Sequence, residues 1–443
     1  MLALSCVATN LVGMVMAFRT GLRPLLLMCS SFNLCWLSFP ALYQISTRSA
    51  AWGDSSLFTF PSAITSALGM NLALSVTFLC TYALYRARPT PSADAASEAR
   101  PRPRQRVAGK WMILGSLVLL PFIAAQMGGF GNLFSSRSGV NELLAQQGLT
   151  LQIAGGGIIA LIRIVPGALA VAGTLLVLHA NRHQERRKMR EHLWPFLGIV
   201  LIFTYTNPLV NTRFTFLAAA LPVLLLVFRP RSARAGGLIA IGCVGVFAAV
   251  YPFVNALQGS RSSVFASGGV SMTAFASRDF DGFQQLVNSV LFSEENGHTS
   301  GRYVLSSLLF FVPRSIWNDK SVPASVDVAA FRGYRFTNLS LPLQAEVALD
   351  LGLVFALVLA VIVAIVWRKL DDKWQGTSAT IPLIALLAAA QIGLIRGPLG
   401  AQVPVVGLTI ALVAVGVSLD RRKKLSDIEV ARTFTSARSR IRR

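Results

Sequence analysis

The chain reads as an all-α polytopic membrane protein of about 11 transmembrane helices (range about 10–12), with one long extracytoplasmic loop that contains short helices. Three observations predict this. Of 443 residues, 53% are hydrophobic and only 14% charged, which would leave a soluble fold with far too much exposed apolar surface. Apolar runs approaching the roughly 20 residues that cross a bilayer recur from Leu2 to Ser418. The connections between them alternate between strongly basic and mixed charge, the pattern left by retention of Lys and Arg on the cytoplasmic side.

Taken in order, the expected spans are 2–18, 25–46, 60–85, 111–127, 151–179, 193–206, 214–228, 235–255, 346–366, 378–395 and 402–418, with the sixth and seventh short. The connections 19–24, 86–110, 180–192, 229–234 and 367–377, with the tail after Leu419, hold 29 of the 41 Lys and Arg and net +20. The opposite connections net +1. The first set therefore belongs inside. This leaves the N-terminus outside, an arrangement that points to a helix missing ahead of Met1 or a misplaced start. Met1 runs straight into an apolar stretch, so no signal peptide is expected.

The chain divides into N-terminal membrane helices (1–255), an extracytoplasmic loop (256–345), C-terminal membrane helices (346–418) and a basic cytoplasmic tail (419–443). Residues 86–110, with prolines 89, 91, 101 and 103 among small and charged residues, are expected to be a disordered cytoplasmic linker. The long loop holds one apolar piece, Tyr303 to Val312, too short to span and therefore expected to be re-entrant or interfacial. A loop of that length in a compact protein is usually functional.

The net charge of +22 would suit a nucleic-acid binder, but the basic residues sit in short loops beside apolar runs. Membrane lipid is the expected partner, and no nucleic acid. Cys6, Cys29, Cys35, Cys80 and Cys243 all lie in apolar runs, which predicts neither disulfides nor a thiolate metal site. No phosphate-cradling glycine loop is present, so no nucleotide cofactor is expected, and no cofactor of any kind is assigned.

The candidate functional residues are the cations on the outer side. Arg213 follows a tight turn, Arg278 opens an Arg-Asp-Phe-Asp run, and Arg302, Arg314 and Lys320 follow in the long loop. Arg396 lies in the last outer turn. Guanidinium groups match phosphate oxygens and keep their charge, so such a set suits a diphosphate at the bilayer surface. The plainer reading pairs each with a nearby acid or headgroup. Arg163 stands alone inside an apolar run, either deep and functional or near the outer interface. Asp279 and Asp281 share one side of an extended strand. They would hold a divalent cation on a diphosphate, or stand in a solvated loop; no metal site is assigned. His298, the one outer histidine, is a candidate general base or an exposed loop residue. Glu346 begins a span, where a helix N-terminus favours a carboxylate, and is a second candidate base; Asp279 is a third.

The stretches "RDFDGFQQLVNSV", "HTSGRYVLSSLLFFVPRSIWNDK" and "TNLSLPLQAEVALDLG", with "TNPLVNTRFTF" around Arg213, resemble the bacterial oligosaccharide repeat-unit polymerases, the Wzy-like family of O-antigen and capsule polymerases. The chain departs from the family at Ala345, where glycine is expected before the glutamate, and at Leu351, where an aromatic is usual. The resemblance implies transfer of a growing glycan from undecaprenyl diphosphate to a lipid-linked repeat unit at the outer face of the cytoplasmic membrane. Donor and acceptor are both undecaprenyl-diphosphate-linked oligosaccharides, and a chain-length regulator and a flippase are possible partners. The arginines would hold the diphosphate leaving group. Trp317, Phe331, Tyr334 and Phe336 are candidates to face the sugar rings. The alternatives are a ligase-like glycan transferase acting on the same kind of donor, and a lipid-linked oligosaccharide transporter. The transporter ranks third, because the polar residues gather on one side and no internal repeat is visible, and a purely structural membrane protein ranks last, because it would leave the long charged loop without a purpose.

Overall fold

The computed structural model describes residues 1–19, 21–85, 103–135, 158–182, 189–229, 272–337, 339–376 and 378–419. The regular elements among them are helices, and an isolated bridge joins Arg19 to Gly21. The chain enters through α1 (Leu2–Arg19), α2 (Pro24–Thr47) and α3 (Pro61–Leu84). Next come α4 (Pro103–Gln126), α5 (Ile158–Asn181), α6 (Arg190–Thr206) and α7 (Arg213–Phe228). The long loop contains α8 (Gly282–Asn296), α9 (Arg302–Leu308) and α10 (Ala324–Phe331), and α11 (Leu343–Leu351) leads out of it. The last three are α12 (Leu353–Trp374), α13 (Ile381–Arg396) and α14 (Leu399–Leu419).

Among the described residues, seven helices are long and apolar enough to cross a membrane: α1 to α4, the Ile164–Asn181 part of α5, α12 and α14. The apolar parts of α7 and α13 are shorter, and α6 has 17 residues. The expected span 235–255 lies outside the described residues, as do 86–102, 256–271 and the tail from Asp420. Residues 103–110, read from sequence as linker, form the first turns of α4. Pro103 opens that helix, where its missing N–H is no loss, and Arg, Gln and Ala then sustain it.

The outer faces are those of a membrane protein. Along α12, Val354, Val358, Ile362 and Val366 are exposed at every fourth position, one stripe of the helix. Such a stripe in water would be a large uncovered apolar patch. Inside, small residues set the spacing. A Cβ on Gly109 of α4 would lie 2.8 Å from the Gly173 carbonyl of α5, so these two helices touch backbone to backbone.

Connections that the charge pattern assigns to one side meet at one end of the bundle. There the fully buried Asp371 accepts from the N–H groups of Leu25 (3.0 Å) and Leu26 (3.1 Å) and from the Tyr82 hydroxyl (2.7 Å). It thereby satisfies two orphan donors of the first turn of α2. Arg23 pairs with Asp372 at 3.6 Å, Gln375 donates to the Leu22 carbonyl, and Arg229 donates to the Trp374 carbonyl. Residues 44–59, 205–214, 275–337, 339–352 and 396–402 gather at the other end, through the contacts described next.

Candidate functional site

α2 is broken in its middle by a π turn at Leu34–Ser38, a feature often found at functional sites. The long loop drops into this break. A Cβ on Gly282 would meet the Trp36 carbonyl and the Leu37 side chain, both at 3.0 Å, so glycine lets the start of α8 lie against α2. The Trp36 indole N–H donates to the Asp279 carbonyl (3.2 Å), and its ring stacks on Phe280 (5.4 Å between centroids) and meets Phe214 edge-on (5.2 Å). Gln44 donates to the Phe275 and Phe280 carbonyls. Segments far apart in sequence are thereby pinned to one place.

Three candidate arginines come from those segments. The Arg396 guanidinium lies 3.9 Å from the centroid of the Phe214 ring and 3.7 Å from the Asp279 carboxylate. Phe214 is the residue after Arg213, which starts α7, so the Arg213 backbone stands beside Arg396; the Arg213 side chain lies outside the described set. The exposed Arg278 guanidinium sits over the Trp52 ring at 5.0 Å. The Arg163 side chain also lies outside the described set, and its backbone is in α5.

Arg302, Arg314 and Lys320 form a different group. Arg302 donates to the Asp319 carbonyl (2.7 Å), and Arg314 to the carbonyls of Lys320 (2.6 Å) and Ser321 (3.3 Å). The Lys320 ammonium donates to the carbonyls of Leu309, Phe310 and Val312, each at 2.9 Å. These cations tie together the turns that follow α9. Burial, aided by the neighbouring Arg314 charge, holds the Lys320 ammonium below its ordinary range. The 303–312 piece is a seven-residue helix followed by turns, with Leu305, Leu308 and Phe311 exposed. Trp317 lies in those turns, its N–H donating to the Pro313 carbonyl.

The acids divide as well. Asp279 faces Arg396, whereas Asp281 is fully buried beneath Trp52, accepting from the indole N–H at 2.8 Å. One Asp281 oxygen has no hydrogen-bond partner. Burial pushes its carboxyl up, opposed by Ser340, Trp52 and the Arg396 charge. The two aspartates thus have separate environments, and no group of three or more metal-ligating side chains occurs among the described residues.

Glu346, in α11, is fully buried and accepts from the Leu399 N–H (2.7 Å) at the start of α14; its other oxygen has no partner. Burial pushes its carboxyl up to about 8, with Leu399 opposing and Asp350 adding. At neutral pH it holds a proton. Asp350, also buried, receives the N–H groups of Gly301 (3.0 Å) and Val304 (2.8 Å) and the Thr299 hydroxyl. This anchors the start of α9 and the preceding turn. In that turn the exposed His298 places Nδ1 3.0 Å from the Leu349 carbonyl. A carbonyl only accepts, so Nδ1 is the donor, and in the neutral ring the lone pair is on Nε2.

Sequence reasoning missed Trp36, which lies in the middle of a span and reads as packing, and Trp52 and Phe214, because an aromatic near a helix end looks like an interfacial anchor. It also missed α8, where Gln284, Gln285, Asn288 and Ser289 are buried together with Phe283, Leu286 and Val287. No protein-family model, curated protein or solved structure matches this chain.

Proposed function

We propose that this chain is a membrane glycosyltransferase that polymerises undecaprenyl-diphosphate-linked oligosaccharide repeat units into a surface polysaccharide. The observation that carries the reading is the meeting of Arg278 and Arg396 with the start of α7 around Trp36, Trp52 and Phe214, at the end opposite the basic connections. Fixed guanidinium charge beside aromatic faces suits a sugar diphosphate. In this reading the helices make eleven crossings of the cytoplasmic membrane. The basic end faces the cytoplasm, and the arginines face out.

The acceptor hydroxyl oxygen attacks the anomeric carbon of the donor glycan. The bond from that carbon to the diphosphate oxygen breaks, and undecaprenyl diphosphate leaves with its charge held by Arg278, Arg396 and Arg213. The hydroxyl proton passes to His298, whose Nε2 is the available base. The energy comes from the donor linkage, so no nucleotide takes part.

The test is reconstitution of the purified chain in lipid with lipid-linked repeat units and no other acceptor. Elongated products that shorten or vanish in R278A and R396A support the polymerase. Inertness until a second acceptor is supplied supports the ligase. Movement of substrate across the bilayer without new glycosidic bonds supports the transporter.

A further inference from the structure

The polar network above α8 ends in an aromatic surface that continues from Trp52, at the edge of the arginine site, to Tyr334 and Phe336. Trp52 stacks with Tyr334 (6.3 Å between centroids) and packs against Phe336 (5.6 Å). Phe336 is 41% exposed. Beneath the rings, the Tyr334 hydroxyl donates to Asp54 (2.8 Å) and receives from the buried amides of Gln284 (2.8 Å) and Asn288 (3.3 Å). Arg332 pairs with the same Asp54 oxygen at 2.7 Å. The Trp52 backbone N–H donates to Gln284. Two buried oxygens in this layer, on Asn288 and Asp281, have no hydrogen-bond partner.

We propose that Trp52, Tyr334 and Phe336 form the seat for a pyranose ring of the glycan, next to the arginines that take its diphosphate. The inference rests on the proposed function and deepens it. A sugar ring presents C–H groups on its faces and hydroxyls around its rim. It therefore suits aromatic faces bordered by carboxylate, amide and phenol groups, and few other ligands need both. A purely structural cluster would close its rings against protein, whereas Phe336 stays open. Arg278 lies over the Trp52 ring itself, so the cation and the seat adjoin, as the sugar and the diphosphate do in the donor. Of the aromatics expected from sequence, Tyr334 and Phe336 join this seat. Phe331 instead packs edge-on against Phe292, and Trp317 lies in the turns beyond α9.

The experiment measures binding to the full chain in lipid nanodiscs. Three probes are used: undecaprenyl diphosphate, the undecaprenyl-diphosphate-linked glycan extracted from producing cells, and the same glycan released from its lipid. Wild type should bind the glycosylated carrier about tenfold more tightly than the bare one. Phe336→Ala, an exposed position, should abolish that advantage and leave bare-carrier affinity in place. Tyr334→Phe, which keeps the ring and breaks the phenol network, should remove part of it. Equal wild-type affinity for the two carriers would overturn the seat and leave the proposed function standing. So would a Phe336→Ala variant that weakens both carriers alike. Binding of the released glycan through Phe336, with no affinity for either carrier, would keep the seat and remove the diphosphate reading. No binding of glycan in any form overturns the seat.

Discussion

Replacing Glu346 by Gln should change how stability depends on pH, and the structure sets the size of the change. The carboxyl is fully buried, has one oxygen without a partner, and is pushed up to about 8 from an ordinary 4.5, chiefly by burial. Between those two values the folded chain holds a proton that the unfolded chain has released. Stability therefore falls as pH rises through that window and levels off above the folded value. From about pH 6 to about pH 9 the loss is ~2–3 kcal/mol. Glutamine keeps an oxygen for the Leu399 N–H and has nothing to titrate. Thermal unfolding of both proteins in detergent, followed by tryptophan fluorescence across this range, should show Glu346→Gln melting a few degrees above wild type at the alkaline end. The gap should narrow toward pH 5. Histidines and cysteines that titrate in the same range do so in both proteins and cancel in the difference. Parallel profiles would refute the reasoning, because they would mean that Glu346 is solvated or paired in the folded protein.

Three further outcomes follow from named contacts. Asp371→Ala strands the N–H groups of Leu25 and Leu26 and the Tyr82 hydroxyl, and should cost about 3–5 kcal/mol in thermal or denaturant unfolding, with Asp371→Asn milder; equal stability of the alanine variant would show that water replaces the carboxylate. Gly282→Val puts a side chain where a Cβ alone already stands 3.0 Å from the Trp36 carbonyl; it should cost about 1–3 kcal/mol and speed proteolysis of the 278–296 segment in a timed digest, and unchanged protection would mean that α8 does not rest on the π turn. Arg396→Lys keeps the charge but loses the planar group over Phe214; affinity for undecaprenyl diphosphate should fall about tenfold, and wild-type affinity would remove Arg396 from the site.

What the sequence disclosed, and what it hid, follows from the range of each force. Membrane spans are local: length and apolarity suffice, so α1, α2, α3 and α14 stand close to the expected 2–18, 25–46, 60–85 and 402–418, whereas α12, Leu353–Trp374, is displaced from the expected 346–366. The exception instructs: Glu346 was read as the first residue of a span, but Gly352, with φ at +85°, divides it off into α11. A backbone break of this kind shows only as one glycine among many. The identity of a cation's partner is not local at all. Arg314 and Arg396 look alike in sequence, yet one donates to carbonyls of its own loop and the other stacks on a ring from α7. Turns such as 309–321 leave carbonyls without helical partners, and a nearby Lys or Arg satisfies them first. An arginine whose own turn has no such surplus is the one left to meet distant segments. α8 hid its surroundings for a related reason. Phe283, Leu286, Val287, Val290 and Leu291 recur at helical spacing, but that repeat implies a solvated opposite face, whereas Gln284, Gln285, Asn288 and Ser289 on that face are buried as well. Its amides then mark it in another way: a glutamine or asparagine kept in the interior needs partners, and here those partners are the Tyr334 phenol and the Trp52 backbone N–H, which border the proposed glycan seat.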